Sequence, residues 1–265
     1  PAEVQAYITN SSVNAGNALT QTATSNQTIK ATVLAGSVAI GAGTVGIGAS
    51  GAGVDVNNKI ATDVKAFISN TSEAGVNVAG DITLKAEDNS DIDATAGAAS
   101  IAGSAGLVGG SISIGIALAE NTITNDVGAY TENAKITTTD SGDVEIQAIE
   151  NATIDSTAAT ATIAASFSIG FSLSGGGAEA NSTIATTTKA YVDQGDLNLS
   201  GDLTVDSVST ATANSDASVI SVSASLFGIA ASGLVAKVDI SSTTEAYATP
   251  SSIEANDINV TAQTT

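Results

Sequence analysis

Cysteine, methionine, tryptophan, histidine and arginine are absent from this chain. Without a thiol there is no disulfide framework, redox motif or cysteine-ligated zinc site; without imidazole the usual transition-metal ligand and neutral-pH acid–base group is missing too. Stability has to come from backbone hydrogen bonds and packing. The only prolines are Pro1 and Pro250, so nothing interrupts strand pairing between them. Four phenylalanines and four tyrosines are the only aromatics, which makes alanine, valine and isoleucine the material of a thin core. Positive charge is equally scarce: seven lysines face 27 carboxylates, for a formal charge of −20. That excludes a nucleic-acid partner, which needs a basic surface to release counterions, and it disfavours anionic membranes. Cations, and surfaces bridged by them, stay open as partners. The lack of oxidisable sulfur and indole suits an extracellular or cell-surface protein. A start at Pro1, with no basic and apolar leader, reads as a processed or excised segment.

Four long runs carry no charge at all: residues 31–54, 94–119, 156–178 and 217–236. Their length suits a membrane helix, but their periodicity does not. In Ser166-Phe167-Ser168-Ile169-Gly170-Phe171-Ser172-Leu173-Ser174 large apolar groups alternate with serine or glycine, and Ser111–Ala119 repeats the pattern. Period two is a strand signal, so no membrane-spanning helix is expected. In residues 37–48 one side is mainly valine and isoleucine and the other mainly glycine, across which two sheets could meet closely.

The runs begin 63, 62 and 61 residues apart. An aromatic after alanine keeps the same beat, at Ala6-Tyr7, Ala66-Phe67, Ala129-Tyr130, Ala190-Tyr191 and Ala246-Tyr247. So does a turn phrase, at Gly80-Asp81, Gly142-Asp143, Gly201-Asp202 and Asn256-Asp257. Three features on one period define a repeat, with units at about 1–64, 65–127, 128–188 and 189–265 in one elongated domain. Each unit is too small to hide its apolar face, so neighbours must cover it. The fold class expected is all-β: a repeat-built, parallel β-helix-like solenoid with two or three short-faced coils per unit. A variant makes the uncharged runs into long hairpins. Asn58, Asn121 and Asn181 precede the marker aromatic and read as turn-satisfying side chains, stacked as a ladder.

The phrase Asn-Thr-x-x-x-x-Val-x-Ala-Tyr, polar turn, Gly-Asp-x-x-x-x-Ala, Ser/Ala/Gly-rich run, Ser-Ile-Ser-Ile-Gly resembles the long repeats of giant bacterial exoproteins of the filamentous-haemagglutinin and leukotoxin-repeat type. The resemblance spans essentially the whole chain. It implies a secreted or surface-displayed adhesin, stalk or filament with no catalytic motif.

Chemistry is harder to place. Asp88, Asp91 and Asp93 are the best calcium candidates, but they form neither an EF-hand loop nor a glycine-aspartate nonapeptide, and a solvated corner is the plainer reading. A carbohydrate-active β-helix would pair carboxylates, yet none stands out and the tryptophan and arginine typical of such clefts are missing. No enzyme is expected. Threonine-rich strands such as Thr137-Thr138-Thr139 suggest a glycan- or surface-binding adhesin module as the alternative. Asn10, Asn70 and Asn181 head glycosylation sequons in a chain rich in Asn, Ser and Thr. The favoured expectation is an extracellular structural module that forms a homopolymer end to end, or stacks on adjacent repeats of one polypeptide. Its interface strands are expected at Val4, Ala6, Tyr7 and Ile8 and at Ile258, Val260 and Ala262.

Overall fold

A computed structural model describes residues 1–265. Thirteen β-strands and no helix make up the chain: β1 (Ala2–Thr9), β2 (Val13–Ala15), β3 (Leu19–Ala42), β4 (Val45–Ser69), β5 (Val76–Val78), β6 (Ile82–Thr138) and β7 (Val144–Ile184), then β8 (Thr187–Asn198), β9 (Leu203–Ala224), β10 (Phe227–Ile240), β11 (Thr243–Thr249), β12 (Ser252–Glu254) and β13 (Ile258–Thr264). All belong to one sheet and every pairing is parallel, between one repeat and the next. Leu19, Ile82, Val144, Leu203 and Ile258 form one column through the stack, and Tyr7, Phe67, Tyr130, Tyr191 and Tyr247 another. The protein is a parallel β-solenoid.

Each unit makes a single coil, not two or three. In the second, the chain runs outward from Ile82 to Ala105, reverses at Gly106-Leu107, and returns from Val108 to Glu132. A corner at Asn133 and the short run to Thr138 close the base. The uncharged runs are thus out-and-back arms, as in the hairpin variant, but the backbone ladders of the two arms run to neighbouring coils and not to each other. Fewer bends suffice because the inner faces of the arms are lined by alanine, serine and glycine, so the coil can collapse flat. The packing shows how tight this is. A Cβ added at Gly115 would lie 2.8 Å from Thr162 Cγ2, and one at Gly176 would lie 2.6 Å from Val219 Cγ1.

The base is wider and holds the main core, where Val64, Ile68, Ile82, Leu84, Ile136, Ile146 and Leu203 are fully enclosed. A second cluster built around Ile92, Ile123, Ile154 and Ile184 lies further out. Beyond it the molecule thins to a blade.

Side-chain ladders reinforce the backbone columns. The aromatic column stacks with ring centroids 5.2, 4.9, 4.7 and 4.9 Å apart. At the Gly-Asp turn, Asp81 Oδ1 accepts from the Asp143 amide at 3.0 Å, Asp143 from the Asp202 amide at 2.8 Å, and Asp202 from the Asp257 amide at 3.1 Å. Asn10, Asn70, Asn133 and Gln194 occupy one corner, with φ of 51°, 48°, 47° and 54°. Asparagine tolerates this left-handed geometry better than most residues. Asn133 also donates to Asn70 Oδ1 at 3.0 Å.

Candidate interaction surfaces and the buried carboxylates

The expected interface strands lie on opposite open edges. β1 and β13 each have one parallel neighbour, β4 and β9 respectively, and expose unpaired backbone on the other side. Val4, Ala6 and Ile8 point partly inward, while Tyr7 lies on the outer face, stacked on Phe67. Ile258, Val260 and Ala262 are exposed on the last coil. The two groups sit at different stations around the coil: Val4 shares a column with Val64 and Val127, and Ile258 one with Leu203 and Val144.

The calcium candidates do not converge. Strand alternation sends Asp88 inward, where it is fully buried, and turns Asp91 and Asp93 outward. Nor do Asn58, Asn121 and Asn181 form one ladder at a turn. Asn58 donates to Asn121 Oδ1 at 2.8 Å in mid-strand, but Asn181 is one residue out of step, beside Glu120, and donates to Glu179 at 2.7 Å. Thr137, Thr138 and Thr139 do not share a face: Thr138 is buried and donates to the Gly142 carbonyl at 2.7 Å.

Asp88 belongs instead to a polar seam between the two apolar clusters. Ser25, Asp88, Glu150 and Ser209 stack one above another on the inner face, and Asn125 reaches them from the returning arm. Its Nδ2 donates to Asp88 Oδ2 at 2.8 Å and to Glu150 Oε1 at 3.1 Å, while Ser90 Oγ donates to Asp88 Oδ2 at 2.6 Å. Asp88 Oδ1 and Glu150 Oε2 have no partner, and no lysine enters the seam. Burial, then the neighbouring Asp88 charge, pushes the Glu150 carboxyl up to about 8 despite the Asn125 bond; burial raises Asp88 as well. The pair holds a proton at neutral pH. Sequence reasoning passed over Glu150, although a shift of one coil sets it on Asp88 with the same inward parity.

The uncharged arms reverse the usual inside and outside. Inside the blade, hydroxyls bond across the narrow gap: Ser113 Oγ donates to the Ser100 carbonyl at 2.7 Å, Thr162 and Ser174 hydroxyls lie 2.8 Å apart, and those of Ser37 and Ser50 lie 2.6 Å apart. Outside, Ile47, Leu107, Phe167 and Ile169 are each more than 70 % exposed. The expectation that neighbouring repeats would cover the apolar face fails here. Adjacent coils and the facing arm cover the Ser/Gly/Ala face, because only small side chains fit between arms this close. No helix is long and apolar enough to cross a membrane. Comparison of the chain with protein-family models, curated proteins and solved structures finds no match.

Proposed function

We propose that this chain is an extracellular structural module whose open coils stack on further copies, or on adjacent repeats of the same polypeptide, to build a filament or surface stalk. The observation that carries this reading is the pair of unpaired parallel edges, each a full coil long, on a repeat whose every backbone ladder runs from coil to coil. Free edges of this kind template strand addition.

In the proposed joint the register seen between coils continues from one copy to the next. β1 of one copy lies on β11 of the next, β2 on β12, and Leu19, Gln21 and Ala23 on Ile258, Val260 and Ala262. Tyr7 then caps Tyr247 and prolongs the aromatic column. The resemblance to exoprotein repeats supports the same reading, and the acidic surface keeps fibres apart laterally until salt or divalent ions screen it.

Negative-stain micrographs of the purified chain test it, together with fibre diffraction, where stacked coils give a meridional spacing of about 4.8 Å. Filaments are expected from the intact chain and not after removal of Ala2–Thr9 or Ile258–Thr264. Filaments that survive both deletions overturn the joint, and a monodisperse chain that binds glycans favours the adhesin module instead.

A further inference from the structure

We propose that the outer aromatic column is an oxidative cross-linking site, at which stacked tyrosines of successive coils couple into dityrosine. The chain holds four tyrosines, and all of them stand in this column. Tyr130, Tyr191 and Tyr247 follow one another without a break, with ring centroids 4.7 and 4.9 Å apart and planes within 2° and 9° of parallel. Phe67 separates Tyr7 from Tyr130. The centroid spacing matches the strand spacing of about 4.8 Å, so the rings lie directly over one another, ortho carbon over ortho carbon.

No other side chain competes for an oxidant, because cysteine, methionine, tryptophan and histidine are all absent. Stacking alone does not call for a hydroxyl, since Phe67 fills the same column. Tyr130, Tyr191 and Tyr247 are half-buried on the outer face, so their edges meet solvent and have room to tilt. Glu132 and Asp193 follow Tyr130 and Tyr191 by two residues and share their face, where they serve as acceptors for the phenolic proton.

The oxidant is a peroxide, used one electron at a time by a peroxidase. Each of two phenols gives up one electron and its hydroxyl proton, and the peroxide takes both electrons and both protons to leave as two waters. The two phenoxyl radicals pair their odd electrons in a bond between ortho carbons, which carry much of the spin and whose π lobes already face each other in the stack. The hydrogen on each joined carbon then moves to the oxygen of its own ring, which restores both phenols. The chain is left two hydrogens lighter, with one coil stapled to the next. Such a link closes a loop of a whole coil and restricts the unfolded chain as a disulfide does. In the filament proposed above the same reaction reaches across the joint, where Tyr7 of one copy caps Tyr247 of the next. That extension rests on the filament reading, and the staple within one chain does not.

The test treats the dilute full chain with a peroxidase and hydrogen peroxide. Expected are the blue fluorescence of dityrosine, an intact mass lower by two hydrogens, and a linked peptide pair that joins Tyr191 to Tyr130 or to Tyr247. Tyr191→Phe leaves no two tyrosines adjacent, and circular dichroism checks its fold. This variant is expected to lose the mass change, whereas Tyr130→Phe and Tyr247→Phe each keep one pair that couples. Overturning results are a parent chain whose mass is unchanged while free tyrosine couples in the same tube, or a link that forms undiminished in Tyr191→Phe. Concentrated samples read the joint separately, as denaturant-resistant multimers expected from the parent and not from Tyr7→Phe. Filaments that yield no such multimers overturn the Tyr7–Tyr247 link, and a stapled monomer that forms no filaments overturns the joint while the staple stands.

Discussion

Glu150 shows what one side chain costs a solenoid. Its carboxyl titrates near 8 when folded and at the ordinary acidic value when unfolded, so between those limits the folded chain binds the extra proton. Stability from this group is complete below the unfolded value and drains away as pH rises through about 8. Thermal denaturation is therefore expected to show a midpoint that falls from pH 5 to pH 8. Glu150→Gln keeps the shape and the Asn125 contact and removes the charge; it flattens that slope and raises the midpoint at pH 8 by roughly 3–6 °C. A midpoint that falls as steeply in the variant rules out the seam as the source. Gly201 is a second decisive residue. A Cβ there meets the backbone of Gly142 one coil below, with the carbonyl carbon at 2.8 Å, and backbone cannot rotate away. Gly201→Ala is expected to cost about 1–3 kcal/mol in denaturant titration, and no measurable loss would show that the turn can shift.

At the scale of elements, columns matter more than strands. Tyr130 sits between Phe67 and Tyr191, with ring centroids at 4.9 and 4.7 Å, so Tyr130→Ala breaks two stacks. The expected loss is about 1–3 kcal/mol, against about half as much for Tyr7→Ala at the open end, where one stack exists. Equal losses at the two positions would mean that neither the number of stacks nor the burial of the ring sets the stability of the column. These columns were largely legible in the sequence: the alanine-aromatic pair, the Gly-Asp turn and the uncharged runs recur because each must sit on its own copy. Two things were not legible. Period two identifies a strand but does not locate its bends, so coils of one circuit and of three look alike until Gly115 and Gly176 are seen to let the arms close. Alternation also separates two faces without saying which is inside. The glycine side of residues 37–48 was read as a face of close approach, but the large residues were still expected to be covered by neighbouring repeats, and in the arms the gap admits only Ser100, Ser113 and their like. Glu150 escaped notice because Ile-Glu-Asn-Ala-Thr-Ile and Glu-Asp-Asn-Ser-Asp-Ile look unrelated until set one coil apart.

As a whole, the molecule has a heavy, charged base and a thin edge whose outer faces are uncharged and apolar. Raising salt or adding calcium or magnesium is expected to bring filaments side by side through the acidic base, visible as bundles in micrographs and reversed by a chelator when divalent ions are the cause. Bundles insensitive to ionic strength but dispersed by lipid or mild detergent would locate lateral contact at the blade. Backbone bonds run only from coil to coil, which frees the circumference. Ala105 lies on Phe167, 62 residues on, yet past the reversal Val108 lies on Ile169, 61 on; Ala165 lies on Ala224, 59 on, but Phe171 on Phe227, only 56 on. Residues drop out at the tip while both flanks stay in step. Height per circuit is fixed by peptide geometry, but girth is not, so such a chain can lengthen or trim its fin by small insertions and deletions without disturbing the column beneath.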